Sequence, residues 1–176
     1  MLMSVDTFEL GAATYPELAG HRVLLTGLTP ASGVDLARAF ADHKARLVLQ
    51  TPEPTPEIDE LAALLVETAA EVRLFTTDLA DRTSAIEFAR IAAQAFTGLD
   101  AAINIVTLRR EDLTTASGSE RNIEQLVATT LDRAADMTAV LANRMRLTLG
   151  TGLVLNVLVA PADLGAREGA LVGLVR

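Results

Sequence analysis

Four residues at the end of one apolar segment and the start of the next carry the strongest chemical signal in the chain. Within His21–Phe40, HRVLLTGLTPASGVDLARAF, the run Val23–Leu25 leads into Thr26 and Gly27, then Ala31 and Gly33, then a segment with helical spacing of apolar residues. A strand that turns on glycines into a helix brings backbone N–H groups and a helix N-terminus to one point. That arrangement holds a pyrophosphate. Three neighbours work against it here: Ala31 puts a methyl group at a position where close approach needs hydrogen, Pro30 lacks an N–H, and Asp35 places a carboxylate in the first helical turn.

The elements that must position this turn alternate along the chain. Val23–Leu25, Leu47–Leu49, Val72–Phe75, Ala101–Val106 and Leu153–Val159 are short apolar runs. Val34–Asp42, Ile58–Ala70, Ser84–Phe96 and Ile123–Leu147 repeat apolar residues at helical spacing. Such alternation predicts an α/β fold, a Rossmann-type doubly wound parallel sheet. Thr55-Pro56 and Asp81 suit helix starts, and Gly98 and Gly150 suit helix stops. Residues 1–20 read as a leader and 21–176 as one domain.

Composition narrows the possibilities further. Half of the residues are hydrophobic and only 3% aromatic, so Ala, Leu, Val and Ile must build the core. A formal charge of −8 with no basic cluster disfavours nucleic acid and anionic lipid as partners. Absence of cysteine removes disulfides, thiolate metal sites and catalytic thiols. With neither a signal segment nor a long apolar run, the expected setting is cytoplasmic and away from membranes. His21 and His43 lack the spacing of a metal site, and Asp132, Arg133 and Asp136 read as a solvated helix face.

On the pattern T-G-x-x-x-G-x-G the chain keeps Thr26, Gly27 and Gly33 and carries Ala31 at the middle glycine, and in this it resembles the short-chain dehydrogenase/reductase family. The resemblance extends to LDAAINIVT, similar to the family's D-x-L-V-N-N-A-G with Asp100 and Asn104 kept, and to GLVLNVLVAP, similar to G-x-I-V-N-I-S-S with Asn156 kept. It implies an NAD or NADP site formed by Thr26, Gly27, Ala31, Gly33, Asp78 and Asn104, with Asp78 on the adenine. At the end of the second strand, where an acid or an Arg would choose between the two cofactors, stand Gln50 and Thr51.

The same resemblance implies that hydride transfer is lost. The family uses a tyrosine, a lysine, a serine and an asparagine, each a proton donor, acceptor or cation. Here the asparagine position falls on Thr130, and Leu158-Val159 replace the serines. Leu164 and Glu168, or Val172 and Arg176 in a second register, stand at the tyrosine and lysine positions, and the chain's one tyrosine, Tyr15, lies far upstream. No catalytic residue and no metal ligand is therefore assigned. The family's last strands fall beyond Arg176, which leaves the fifth strand as an edge. Residues Ile123–Leu147 form an apolar stripe that Met137 and Val140 widen, which points to a homo-oligomer through this helix. The expected function is a non-catalytic binding or oligomer-forming protein; an active oxidoreductase completed by a further C-terminal segment, and a purely structural subunit, are the alternatives.

Overall fold

A computed structural model describes residues 15–108 and 120–160. Five strands, β1 (Arg22–Thr26), β2 (Arg46–Thr51), β3 (Glu71–Thr76), β4 (Ala101–Thr107) and β5 (Leu153–Val159), form one parallel sheet in the order β3-β2-β1-β4-β5. Among the described residues four α-helices connect them: α1 (Val34–Asp42), α2 (Pro56–Thr68), α3 (Arg82–Ala92) and α4 (Glu120–Leu149). The α/β doubly wound sheet expected from the alternating pattern is the fold observed.

Because side chains alternate across a strand, each strand feeds two layers. Leu24, Val48 and Ala102 face α3 and α4, where Phe88, Met137, Leu141 and Met145 are buried with them. Val23, Leu25, Leu47, Leu49 and Ile103 face α1 and α2, against Ala37, Ile58, Leu61 and Leu65. Met137 and Val140, which widened the apolar stripe of α4, pack inside this first layer, and the outward residues Ala135, Ala139 and Ala142 are small.

The helix starts follow the capping chemistry of the sequence. Thr55 Oγ1 accepts from the Ile58 N–H at 3.3 Å with Pro56 in first position, and Asp81 Oδ2 accepts from the Ser84 N–H at 2.9 Å. That second bond lowers the pKa of Asp81. The largest boundary difference is at α3, which ends at Ala92, not Phe96. Phe96 and Thr97 take the left-handed backbone (φ 53° and 64°), which breaks the helical path and seats the Phe96 ring in the core beneath the Arg73 guanidinium, 4.5 Å from its centroid.

Two polar ties fix the ends of the central strands. At the amino edge, Arg22 Nε and Nη2 donate to Asp100 Oδ2 and Oδ1, both at 2.8 Å, and the Arg22 backbone N–H adds a third bond of 2.8 Å. The guanidinium's hydrogen bond holds the Asp100 carboxyl down to about 2. At the carboxyl edge, register places Thr26, Asn104 and Asn156 side by side on β1, β4 and β5. Thr26 Oγ1 donates to Asn104 Oδ1 (3.2 Å), Asn104 Nδ2 to Asn156 Oδ1 (2.8 Å), and Asn156 Nδ2 to Thr138 Oγ1 of α4 (3.0 Å).

Residues 15–20 lie at the amino edge. A 3-10 turn, Pro16–Leu18, precedes β1, the Gly20 N–H donates to the Lys44 carbonyl at 2.8 Å, and the Tyr15 ring stands 5.6 Å from that of His43. No helix among the described residues is long and apolar enough to cross a membrane.

Two outcomes test these ties. A folded carboxyl at about 2 against an unfolded value of about 4 contributes stability that is complete above pH 4 and lost as the pH falls toward 2. Asp100→Asn should therefore lower urea-unfolding stability at neutral pH by about 1–2 kcal/mol and flatten its pH dependence between about 4 and 2; an unchanged slope in that window contradicts the assignment. Asn104→Ala strips partners from two neighbours in a buried position and should cost about 2–3 kcal/mol, against under about 1 kcal/mol for Thr138→Val, whose hydroxyl stands near the surface. Equal costs would show that the chain of bonds does not converge on Asn104.

Candidate functional site

The end of β1 approaches β4 closely, and glycine makes that possible. A Cβ on Gly27 would stand 2.0 Å from the Ile105 carbonyl oxygen, and its φ of +72° disfavours any side chain. A Cβ on Gly33, the N-cap of α1 at φ +85°, would meet Ile105 Cδ1 at 2.6 Å and Leu28 Cδ1 at 3.0 Å. Both kept glycines are thus required by the packing of the turn on β4.

The N–H groups of this turn are largely satisfied from within. Gly27 N donates to Gln50 Oε1 at 2.7 Å and Leu28 N to the Gln50 carbonyl at 3.0 Å. Thr29 and Ser32 exchange two backbone bonds of 3.0 Å, which folds Pro30 and Ala31 into the tip of a closed loop. Gln50, buried on β2, also donates from Nε2 to the Thr77 carbonyl at 2.6 Å. Its amide is a clamp between the glycine turn and the segment after β3. A pyrophosphate draws on free N–H donors at this turn. Four of them are spent inside the protein and Pro30 has none, which leaves the N–H groups at the start of α1, where Gly33 makes no side-chain cap, as the donors for that part of a dinucleotide.

A cleft of about 410 Å³ opens beside the turn at the carboxyl edge of the sheet. That is where ligands of doubly wound sheets bind, and the volume suits a small molecule. Of the residues assigned to a cofactor from the sequence, Thr26, Gly27, Asp78 and Asn104 line it, while Ala31 and Gly33 are not among its described walls. Asp78 accepts the Ala80 N–H on Oδ1 at 2.8 Å. Thr130, at the family's asparagine position, also lines the cleft, but its hydroxyl donates to the Leu126 carbonyl at 2.7 Å.

Arg133 is the residue that the sequence pattern misplaced. It and its neighbours read as a solvated face, yet Arg133 lines the cleft, with Nη1 donating to the Ala80 carbonyl and Nη2 reaching Thr130 Oγ1 at 3.4 Å. Asp136 pairs with Arg82 of α3, Nη2 to Oδ1 at 3.0 Å, which lowers the pKa of its carboxyl. Helical spacing alone puts 132, 133 and 136 outward. What it could not show is the loop after β3, which comes up against this face of α4.

The two serine positions of hydride-transfer chemistry are apolar. Leu158 packs with Leu108 and Val127, and Val159 joins the layer under α1 and α2. Leu164, Glu168, Val172 and Arg176 lie outside the described residues. The chain's one tyrosine and one lysine, Tyr15 and Lys44, both sit at the amino edge of the sheet, where Lys44 Nζ donates to the Thr68 carbonyl at 2.6 Å. Among the described residues no group of His, Cys, Asp or Glu is arranged to hold a metal.

Comparison with known proteins places this fold. A short-chain dehydrogenase from Oenococcus oeni PSU-1 is 19% identical, superposes with a TM-score of 0.70, and covers 91% of this chain and 68% of its own. A metagenomic short-chain oxidoreductase in complex with NADP gives 19%, 0.69, 89% and 69%, and an NADH-dependent reductase complexed with NAD gives 19%, 0.65, 80% and 60%. The chain thus spans about 60% of the length of that reductase. No curated protein matches it in sequence. The family model described as short chain dehydrogenase matches residues 21–169, and with the parallel sheet and the strand–glycine turn–helix unit in place, the chain belongs to the short-chain dehydrogenase/reductase family.

Proposed function

We propose that this chain is a non-catalytic member of its family, a binding protein that keeps the ligand cleft without the hydride-transfer machinery and acts through binding and self-assembly. One observation carries the reading: its only tyrosine and only lysine lie at the amino edge, across the sheet from the cleft. General acid–base catalysis needs a proton donor within hydrogen-bond reach of the reacting atom. Leu158 and Val159 supply none, and the Asn156 amide is committed to Asn104 and Thr138.

A nucleotide is the ligand class that the solved relatives suggest, since one is complexed with NAD and another with NADP. Assembly is supported by β5, which has one strand neighbour among the described residues and leaves Leu153 and Leu155 exposed. A two-fold dimer packed on α4 and this edge covers such a surface.

Oxidation of NADH or NADPH by the purified chain with panels of ketones and aldehydes is the direct test. The expected result is no turnover; a rate on the order of 1 per second or more, ordinary for an enzyme, contradicts the reading. Sedimentation velocity at micromolar concentration should show a dimer, and Ala139→Arg, on the outward face of α4, should dissociate it with unchanged thermal stability. A monomer in the unsubstituted chain removes the assembly part.

A further inference from the structure

We propose that the amino edge of the sheet carries a second ligand site, a cleft beside Arg46 that takes a small organic acid with one carboxylate. It lies across the sheet from the glycine turn and does not depend on what the carboxyl-edge cleft binds.

The strands bring three arginines to one place. β1, β2 and β3 start at this edge, and the alternation that sends Leu24, Val48 and Phe75 toward α3 and α4 sends Arg22, Arg46 and Arg73 to the same face two residues earlier. Register sets Arg22 and Arg46 side by side, with Glu71 next in the row. Two of the three cations are spent. Arg22 donates twice to Asp100 at 2.8 Å, and Arg73 donates to Glu71 at 3.0 and 3.2 Å while its face covers the Phe96 ring. Arg46 is exposed, and its guanidinium has no acceptor among the described residues. It borders a cleft of about 360 Å³, which Ala19, His21, Phe96 and Thr97 line with it beside the Arg22–Asp100 pair. The left-handed backbone at Phe96 and Thr97, which ends the path of α3, is thus also what builds a wall of this cleft.

Charge chooses the ligand. The Asp100 carboxyl, held at about 2 by the Arg22 guanidinium, stays ionised at neutral pH, so that pair adds no net charge to the cleft. What is left is one guanidinium in a chain whose formal charge is −8. Its fork matches a carboxylate with two parallel N–H···O bonds. A dianion such as phosphate would set its second charge against the Asp100 carboxylate with no second free cation to meet it. The volume exceeds what a bare ion fills and leaves room for a small organic body against Ala19 and Phe96.

Nuclear magnetic resonance titration of the full chain at pH 7.5 with benzoate, benzyl alcohol and inorganic phosphate tests this. Benzoate should shift the Gly20, His21 and Thr97 amides and the Arg46 Nε–H along one saturating curve, with a Kd on the order of 1 mM. Benzyl alcohol and phosphate should each bind at least tenfold more weakly. Arg46→Gln should lose at least tenfold in benzoate affinity with the signals of the core unmoved, whereas Arg38→Gln, an exposed arginine on α1, should bind as the parent does. Absent or unsaturated shifts, shifts confined to the carboxyl-edge cleft around Asp78, phosphate binding as tight as benzoate, or full benzoate affinity in Arg46→Gln each overturns the proposal. NADH turnover and NAD binding report on the carboxyl-edge cleft alone, so a failure of the non-catalytic reading is seen separately.

Discussion

The approach of β1 to β4 at Gly27 is the constraint from which the rest of this carboxyl edge follows. With the Ile105 carbonyl 2.0 Å from where a Cβ would lie, only glycine lets the two central strands keep their register through the turn. That register sets Thr26 beside Asn104, and Asn104 beside Asn156, so one chain of hydrogen bonds runs across three strands into α4. It also brings the turn's first N–H within 2.7 Å of the Gln50 amide.

The two faces of this arrangement have different electrostatic characters. The amino edge is tied by a bidentate Arg22–Asp100 pair, in which the guanidinium fork and the carboxylate satisfy one another. The carboxyl edge keeps a cavity in which Asp78, Glu53 and Arg133 share a lining with apolar side chains. Buried polar groups are paired throughout: among the described residues no buried side-chain nitrogen or oxygen lacks a partner. Walls that are satisfied in this way are rigid, and a rigid cleft discriminates between ligands by what its remaining groups can still accept or donate.

Much of the fold was legible in the sequence because period and punctuation agreed. The run LDAAINIVT and the caps at Thr55 and Asp81 each point to one element type, and β4, α2 and α3 begin where those signals place them. The end of α3 was not legible, since it depends on Phe96 adopting a left-handed backbone to bury its ring, a tertiary effect with no local signature. Of the residues named from the family pattern, Thr26, Gly27, Asp78 and Asn104 line the cleft and Ala31 and Gly33 do not. Gln50 and Arg133 were not legible in that pattern. Each acts through a segment distant in sequence, Gln50 through the Thr77 carbonyl and Arg133 through that of Ala80, and spacing along one element carries no trace of such a partner. The Gly27–Gly33 pattern, for its part, looks the same whether the turn cradles a ligand or packs on a strand.

The most direct measurement of the central claim is amide hydrogen exchange at Gly27, Leu28, Thr29 and Ser32 in the free chain and with saturating NAD. If the donors of the turn are spent within the protein, these four amides exchange slowly in the free state and NAD leaves their protection unchanged. Fast exchange that becomes protected only when NAD is added would show a turn with free donors, and would contradict the account.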